Sequence, residues 1–184
     1  MADLASEPIM SDRLRLREFR DDDLDVLAAM VGDGEQMTFY PQPKTREEAA
    51  AWIRLNTGLY ATRGFGTWLI EAPPGARFAG YCGIRPLELD DVSEIEIGWH
   101  VHKHFWKQGI ATEAAALVCN AAATRFGISR LIALVHPDHI ASRRVAEKVG
   151  MRPERTTVLE EDYPAIVYAA DWSARRPRRT AALS

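Results

Sequence analysis

The stretch EIEIGWHVHKHFWKQGIATEAA, Glu94 to Ala115, decides how the chain is read. Its first half alternates. Ile95 and Ile97 fall on one face and Glu94 and Glu96 on the other, the two-residue period of a half-buried strand that ends at Val101. Its second half changes period: from Gly109 to Phe126 Ala, Leu and Val fill a helical run, and Gly127 stands where a helix stops. Between the two, in Trp106–Thr112, one glycine and the small Ala111 sit where the helix begins. Small residues let neighbouring backbone N–H groups converge, and the first amides of a helix have no partner within it, so such a start attracts phosphate oxygens. A plain strand-to-helix turn has the same letters, and this spacing alone does not separate the two. The Gly-Lys-Ser/Thr ending of a Walker turn is absent, as are the three spaced glycines of a dinucleotide fold, and Gly64-Phe65-Gly66 does not supply them.

Working outward, Arg13–Glu18 alternates as a first strand, with Leu14 and Leu16 on one face. Asp21, Asp22 and Asp23 precede Leu24, Leu27, Ala28 and Val31 at helical spacing, with carboxylates where the positive end of the helix dipole favours them. Thr45 and Glu48 form a capping-box pattern ahead of a second helix that runs to Arg63, where Gly64 stops it. Thr67–Ala72 and Arg77–Arg85 flank Pro73-Pro74-Gly75 as a hairpin, and Glu94–Val101 makes a fourth strand. Beyond the long helix come a buried strand at Leu131–His136, a helix over Ala141–Val149 ended by Gly150, and a closing pair at Arg152–Leu159 and Ala165–Ala170. The expected fold is mixed α+β: a mostly antiparallel sheet of six to seven strands with helices on both faces. Residues 1–172 are expected to form a single domain and 173–184 a disordered basic tail.

The chain has 184 residues, a length at which one core serves one domain, and it is 47% hydrophobic and 27% charged, which excludes a disordered or fibrous chain. The net charge is −3, and removing Arg175, Arg176, Arg178 and Arg179 in the tail leaves −7, so no nucleic-acid surface is expected. Two cysteines, Cys82 and Cys119, fit neither a disulfide framework nor a metal motif. A reducing cytoplasm is the expected location, without export signal or membrane span. Monomer and homodimer are both open.

With EIEIGWHV, FWKQGIATEAA and VHPDHIASRRVAEKVGM in this order, the chain resembles the GNAT acetyltransferase superfamily, and within it the branch of the ribosomal-protein N-terminal acetyltransferases. The likeness covers Arg13 to about Asp171, including RLRLREFRDDDLD and TREEAAAWI. It implies that the fourth strand splays from the fifth and that acetyl-CoA lies in the gap as co-substrate. The pyrophosphate would then meet the amides of Lys107, Gly109, Ala111 and Thr112, with Gln108 and Ile110 completing the turn. Val101 would pair with the pantetheine as though the cofactor were another strand. The implied activity is transfer of acetyl directly to a primary amine of a small molecule or of a protein or peptide N-terminus. The alternative is a noncatalytic acyl-CoA-binding or interaction module with the same fold.

Direct transfer needs a neutral amine, a polarised carbonyl and a protonated leaving thiol, but no covalent nucleophile. Glu96 holds the position where the superfamily often has a general base, against the plainer reading of a salt-bridged strand edge, and Glu160 and Glu161 are rivals. Ala146 stands where many members carry the tyrosine that protonates the thiolate. Ser142, which otherwise reads as a helix cap, is the expected hydrogen-bond donor to the sulfur. His139 replaces the usual asparagine as a cofactor contact. His100, His102 and His104 alternate, yet ordinary polar contacts suit them better than zinc, so no metal is expected. For the acceptor, Tyr40, Trp52, Trp68 and Trp99 are the candidate lining residues, with Phe39 and Phe65 beside them and a mild lean toward cationic amines because the body is acidic.

Overall fold

The computed structural model describes residues 8–159 and 162–171. In chain order the elements are β1 (Ile9–Met10), β2 (Arg15–Arg17), α1 (Leu24–Val31), α2 (Arg46–Arg63), β3 (Thr67–Ala72), β4 (Arg77–Leu89) and β5 (Val92–Val101). There follow α3 (Ile110–Thr124), β6 (Arg130–Val135), α4 (Ile140–Lys148), β7 (Arg152–Leu159) and β8 (Tyr163–Asp171). The sheet has eight strands in the order β1-β2-β3-β4-β5-β6-β8-β7, one more than the sequence led us to expect. The extra one, β1, is two residues long and too short to display a period.

Local chemistry sets the boundaries. Thr45 Oγ1 accepts from Glu48 N–H at 3.1 Å and Glu48 Oε2 accepts from Thr45 N–H at 2.7 Å, the reciprocal capping that starts α2. Gly64 ends the helix in the left-handed region at φ 73°. The far end of α2 is tied to the sheet by side chains: Asn56 Oδ1 accepts from Thr67 N–H at 2.7 Å, and the Tyr60 hydroxyl donates to Thr67 O. β4 and β5 run past the expected ends and meet at Asp90-Asp91, both at positive φ (52° and 61°), the two-residue geometry whose twist matches a hairpin.

Helices cover both faces. On one, Ala114, Ala115, Val118 and Cys119 of α3 pack on Cys82, Ile84, Ile97 and Val101. On the other, Leu27 and Val31 of α1 and Ile53 of α2 pack around Leu69, with Trp52, Phe78 and Tyr81 at the margin. Leu69 is 1% exposed, so its truncation to alanine costs about 2–5 kcal/mol.

All strand pairs are antiparallel except β5 with β6, which is parallel and in register only at Glu96↔Ile132. Past that point the two strands diverge. On the opposite edge His102 N–H donates to Ala79 O at 2.8 Å, so by the alternation of an antiparallel ladder the backbone groups of Trp99 and Val101 turn toward the gap. Among the described residues, no strand pairs with this internal edge of the sheet beyond Glu96.

Candidate active site

The gap opens onto the turn before α3. Gly109 is the N-cap residue at φ 79°, with no side-chain cap, and Lys107 two residues earlier is also left-handed at φ 61°. Alternating left-handed residues turn successive N–H groups into one concavity, and the first-turn amides of Ile110, Ala111 and Thr112 lie on the positive end of a 15-residue helix. The turn is braced from outside: Arg13 pairs with Glu113 and donates to Gln108 O at 3.3 Å, while Ser11 Oγ donates to Glu113 at 2.6 Å. Gln108 spends its amide on His104 O at 3.0 Å, so its contribution to the turn is its backbone. Trp106 folds back, and its indole N–H donates to Val101 O at 2.6 Å along the open edge. A diphosphate fits the concavity, and a strand-like chain fits along Trp99–Val101 through the Val101 N–H, since the Val101 carbonyl is held by the Trp106 indole.

Across the gap, Ser142 in the first turn of α4 accepts a hydrogen bond from the Trp99 indole at 3.1 Å. Because the indole uses an oxygen lone pair, the Ser142 O–H stays available to donate. His139, the N-cap residue of α4, stacks on Phe39 from the α1–α2 loop with centroids 4.2 Å apart, and burial lowers its pKa, with His136 adding to the shift. The ring is thus a neutral spacer between the cofactor side and the loop. Ala146 is fully buried in the core.

Glu96 lies on the opposite face of β5, toward α1 and α2. Its side chain is 12% exposed and accepts from Arg85 Nε at 2.7 Å on the neighbouring strand. Burial raises its pKa above the ordinary carboxyl value, and Arg85 opposes the rise. Its charge in turn adds to the burial that raises the phenols of Tyr40, Tyr81 and Tyr163, Tyr81 to about 12. Beside them His100 Nε2 donates to Gln36 O at 3.1 Å, which leaves Nδ1 to accept from the Tyr81 hydroxyl at 3.3 Å. Burial holds His100 down to about 4, so at neutral pH it is an uncharged link. The Glu96 carboxyl on one face of β5 and the Ser142 hydroxyl, reached through Trp99, on the other flank the point where β5 leaves β6.

The family profile of the acetyltransferase (GNAT) domain matches residues 13–152. The chain belongs to the GNAT acetyltransferase family. The acetyltransferase is 30% identical over 165 residues to YkkB of Bacillus subtilis, covering 89% of this chain and 95% of the relative. It is 29% identical over 150 residues to the N-acetyltransferase YoaA of the same organism, covering 80% and 84%. Among solved structures, RimL, the ribosomal L7/L12 alpha-N-protein acetyltransferase in complex with coenzyme A, superposes with a TM-score of 0.75 at 23% identity over 91% of this chain and 99% of that one. A Bacillus anthracis GNAT acetyltransferase gives 0.75 at 22% identity over 90% and 98%. Membership makes acetyl-CoA the co-substrate and acetyl transfer to an amine the reaction.

Within the acetyltransferase, the residues singled out from sequence separate into groups. Val101 and Lys107 to Thr112 come together on the gap, and Ser142 joins them through Trp99. Trp99 faces α4, on the opposite side of the sheet from Glu96. Tyr40 lies near Glu96 and stacks on His100 at 5.2 Å. Trp52 packs edge-on against Phe19 at 5.1 Å and tilted against Tyr81 at 4.8 Å, on the α1–α2 face of the sheet. Trp68 is 4% exposed and stacks on Phe126 beneath α3, away from the cleft, because its strand position points to the α3 face. Glu160 and Glu161 lie outside the described residues. Among the described residues no group of three His, Cys, Asp or Glu is placed to hold a metal ion, and no helix is long and apolar enough to cross a membrane. Arg85, Tyr81, Gln36 and Tyr163 were not picked out from sequence. Cross-strand register would have flagged Arg85 opposite Glu96 once the β4–β5 hairpin was known.

Proposed function

We propose that the acceptor amine attacks acetyl-CoA directly at the point where β5 parts from β6, with Glu96 as proton acceptor and Ser142 as hydrogen-bond donor to the sulfur. The observation that carries this reading is the placement of Glu96 and the Trp99–Ser142 pair on opposite faces of one strand, three residues apart from Glu96 to Trp99, beside the open edge. Acetyl-CoA lies along Trp99–Val101 with its diphosphate on the turn from Lys107 to Thr112. The amine nitrogen forms a bond to the thioester carbonyl carbon, its surplus proton passes to the Glu96 carboxylate directly or through one water, and the C–S bond breaks. The sulfur leaves as a thiolate, hydrogen-bonded by Ser142, and takes its proton from solvent. The acceptor is a primary amine of a small molecule or a peptide N-terminus, entering from the α1–α2 side.

Glu96→Gln keeps size and removes the base. In a thiol-release assay over varied amines and peptides it should lower kcat about 100-fold or more while coenzyme A affinity stays within about twofold. Unchanged turnover in Glu96→Gln, together with loss of turnover in Glu161→Gln, would move the base to the rival carboxylate.

A further inference from the structure

Under the α1–α2 loop, beyond the ends of β6 and β8, lies an open cavity of about 230 Å³ whose walls include Phe39, Tyr40, His136, Asp162 and Tyr163. We propose that this cavity is a subsite for a second cationic group of the acceptor, so that the preferred substrates carry a positively charged nitrogen besides the amine that is acetylated. This inference rests on the transfer reading above and deepens it by naming the substrate class.

The walls are aromatic and locked together. Phe39 and His136 lie 5.7 Å apart, and His136 meets Tyr163 edge to face at 5.4 Å. The Tyr163 hydroxyl donates to Phe39 O at 2.8 Å, so this phenol spends its proton within the wall and has none to offer an anion. His136 Nδ1 accepts from Asp138 N–H at 3.2 Å, which puts the proton of the neutral ring on Nε2. Aromatic faces attract cations and do nothing for anions.

The charges point the same way. Among the described residues Asp162 is the one acidic or basic side chain of the lining apart from His136, and no lysine or arginine is part of it. Behind the lining, the Glu96 carboxylate acts on both Tyr40 and Tyr163, and the guanidinium beside it, Arg85, is engaged by that same carboxylate. An occupant therefore meets the Asp162 carboxylate and ring faces, with the Glu96 charge acting from behind Tyr40 and Tyr163. The volume is below the ~300–1,000 Å³ of sites that enclose a whole ligand, which suits a substituent with the reacting amine held toward Glu96. A diamine and a peptide with a basic residue next to its N-terminus present this chemistry alike.

The test uses the full chain saturated with coenzyme A and two isosteres that carry no amine to acetylate, choline and its uncharged analogue 3,3-dimethylbutan-1-ol. By titration calorimetry choline should bind at least tenfold tighter. Asp162→Asn and Phe39→Leu should each weaken choline at least fivefold and leave the alcohol unchanged. Asp162 is exposed, so its substitution reports on charge even if Phe39→Leu disturbs the loop. Equal binding of the two isosteres, or choline binding that neither substitution changes, would overturn the subsite. A thiol-release arm compares 1,4-diaminobutane with 1-aminobutane, and Ser-Lys-Ala-Ala with Ser-Leu-Ala-Ala. The charged member of at least one pair should win by tenfold in kcat/KM, the winning pair identifies the source of the cation, and Asp162→Asn should bring that ratio toward one. No preference in either pair overturns the inference. Choline binding without thiol release from any amine would instead sink the transfer reading, so the two failures are distinct.

Discussion

At the scale of single residues, Glu96 is defined by two opposed influences. Burial favours its neutral form and Arg85, at 2.7 Å, favours the carboxylate, with burial the larger. A base must be ionised to act, so kcat/KM should rise with pH through an apparent pKa above the ordinary carboxyl value of ~4.3. Arg85→Met removes the stabilising charge and keeps the aliphatic bulk. The acidic limb of the pH–rate profile should then move to higher pH, while the plateau at alkaline pH is kept. A limb that stays in place after this substitution would show that another group sets it. Arg85 acts here only through Glu96, so a general loss of rate at every pH would mark a merely structural role.

At the scale of elements, the turn into α3 is held by backbone geometry. Gly109 sits at φ 79°, and a Cβ built there meets only Arg13, at 3.8 Å, so the obstacle to a side chain is conformation and not space. Gly109→Val should cost about 1–2 kcal/mol of stability and turn the first-turn amides away from the diphosphate. Calorimetry should find coenzyme A at least tenfold weaker, with pantetheine, which lacks the diphosphate, affected less than twofold. Equal losses for both ligands would place the diphosphate elsewhere. This glycine was legible in the sequence because its residue type signals the backbone it adopts. Lys107 at φ 61° was not, since a lysine gives no sign of a left-handed residue. The extension of β4 was hidden for a different reason: Pro86 reads as a strand end. Its missing N–H faces the β3 side, where the β3–β4 ladder has already stopped at Thr67↔Gly83, so the proline leaves no ladder bond unmade. Of the α1–α2 loop only Tyr40 and Phe39 were picked out, and the polar contacts that hold it were illegible. Gln36, only 6% exposed, bonds Met30 O and Lys103 N–H through its side chain and His100 through its carbonyl, while Lys103 Nζ reaches Asp33 at 2.6 Å and Glu35 at 2.9 Å. His100 and Lys103 lie 64 and 67 residues from Gln36 in sequence, and no period or spacing announces these contacts.

At the scale of the whole molecule, the two helical layers and the mostly antiparallel sheet were legible because amphipathic periods set them, while the splay of the sheet was expected only from the family resemblance. The acceptor side was not legible, because there the chain crosses between layers through polar contacts. Those contacts make the fold sensitive to acid. His100 is 8% exposed, and its pKa is held down to about 4 by burial, against the Gln36 carbonyl that favours the charged ring and the neighbouring His139 and His102 that oppose it. Tyr40 and Tyr81, the other titratable groups against it, stay neutral far into the alkaline range because burial raises both. The unfolded chain takes up a proton at this histidine near pH 6.5 and the folded chain does not, so the contribution is fully present above 6.5 and is lost as pH falls toward 4. The full loss amounts to about 3 kcal/mol. Glu96 works in the opposite sense, since its raised pKa makes the folded state bind a proton earlier than the unfolded one, and it offsets part of the loss near the lower end of the window. His100→Gln keeps a donor for Gln36 O and cannot titrate. The melting temperature of the unmodified protein should drop by several degrees between pH 6.5 and 4.5, and in His100→Gln that drop should shrink by half or more while the value at pH 8 changes little. Parallel curves for the two proteins would mean that acid unfolds the molecule elsewhere, and the His100 link would then have no part in holding the acceptor loop to β5.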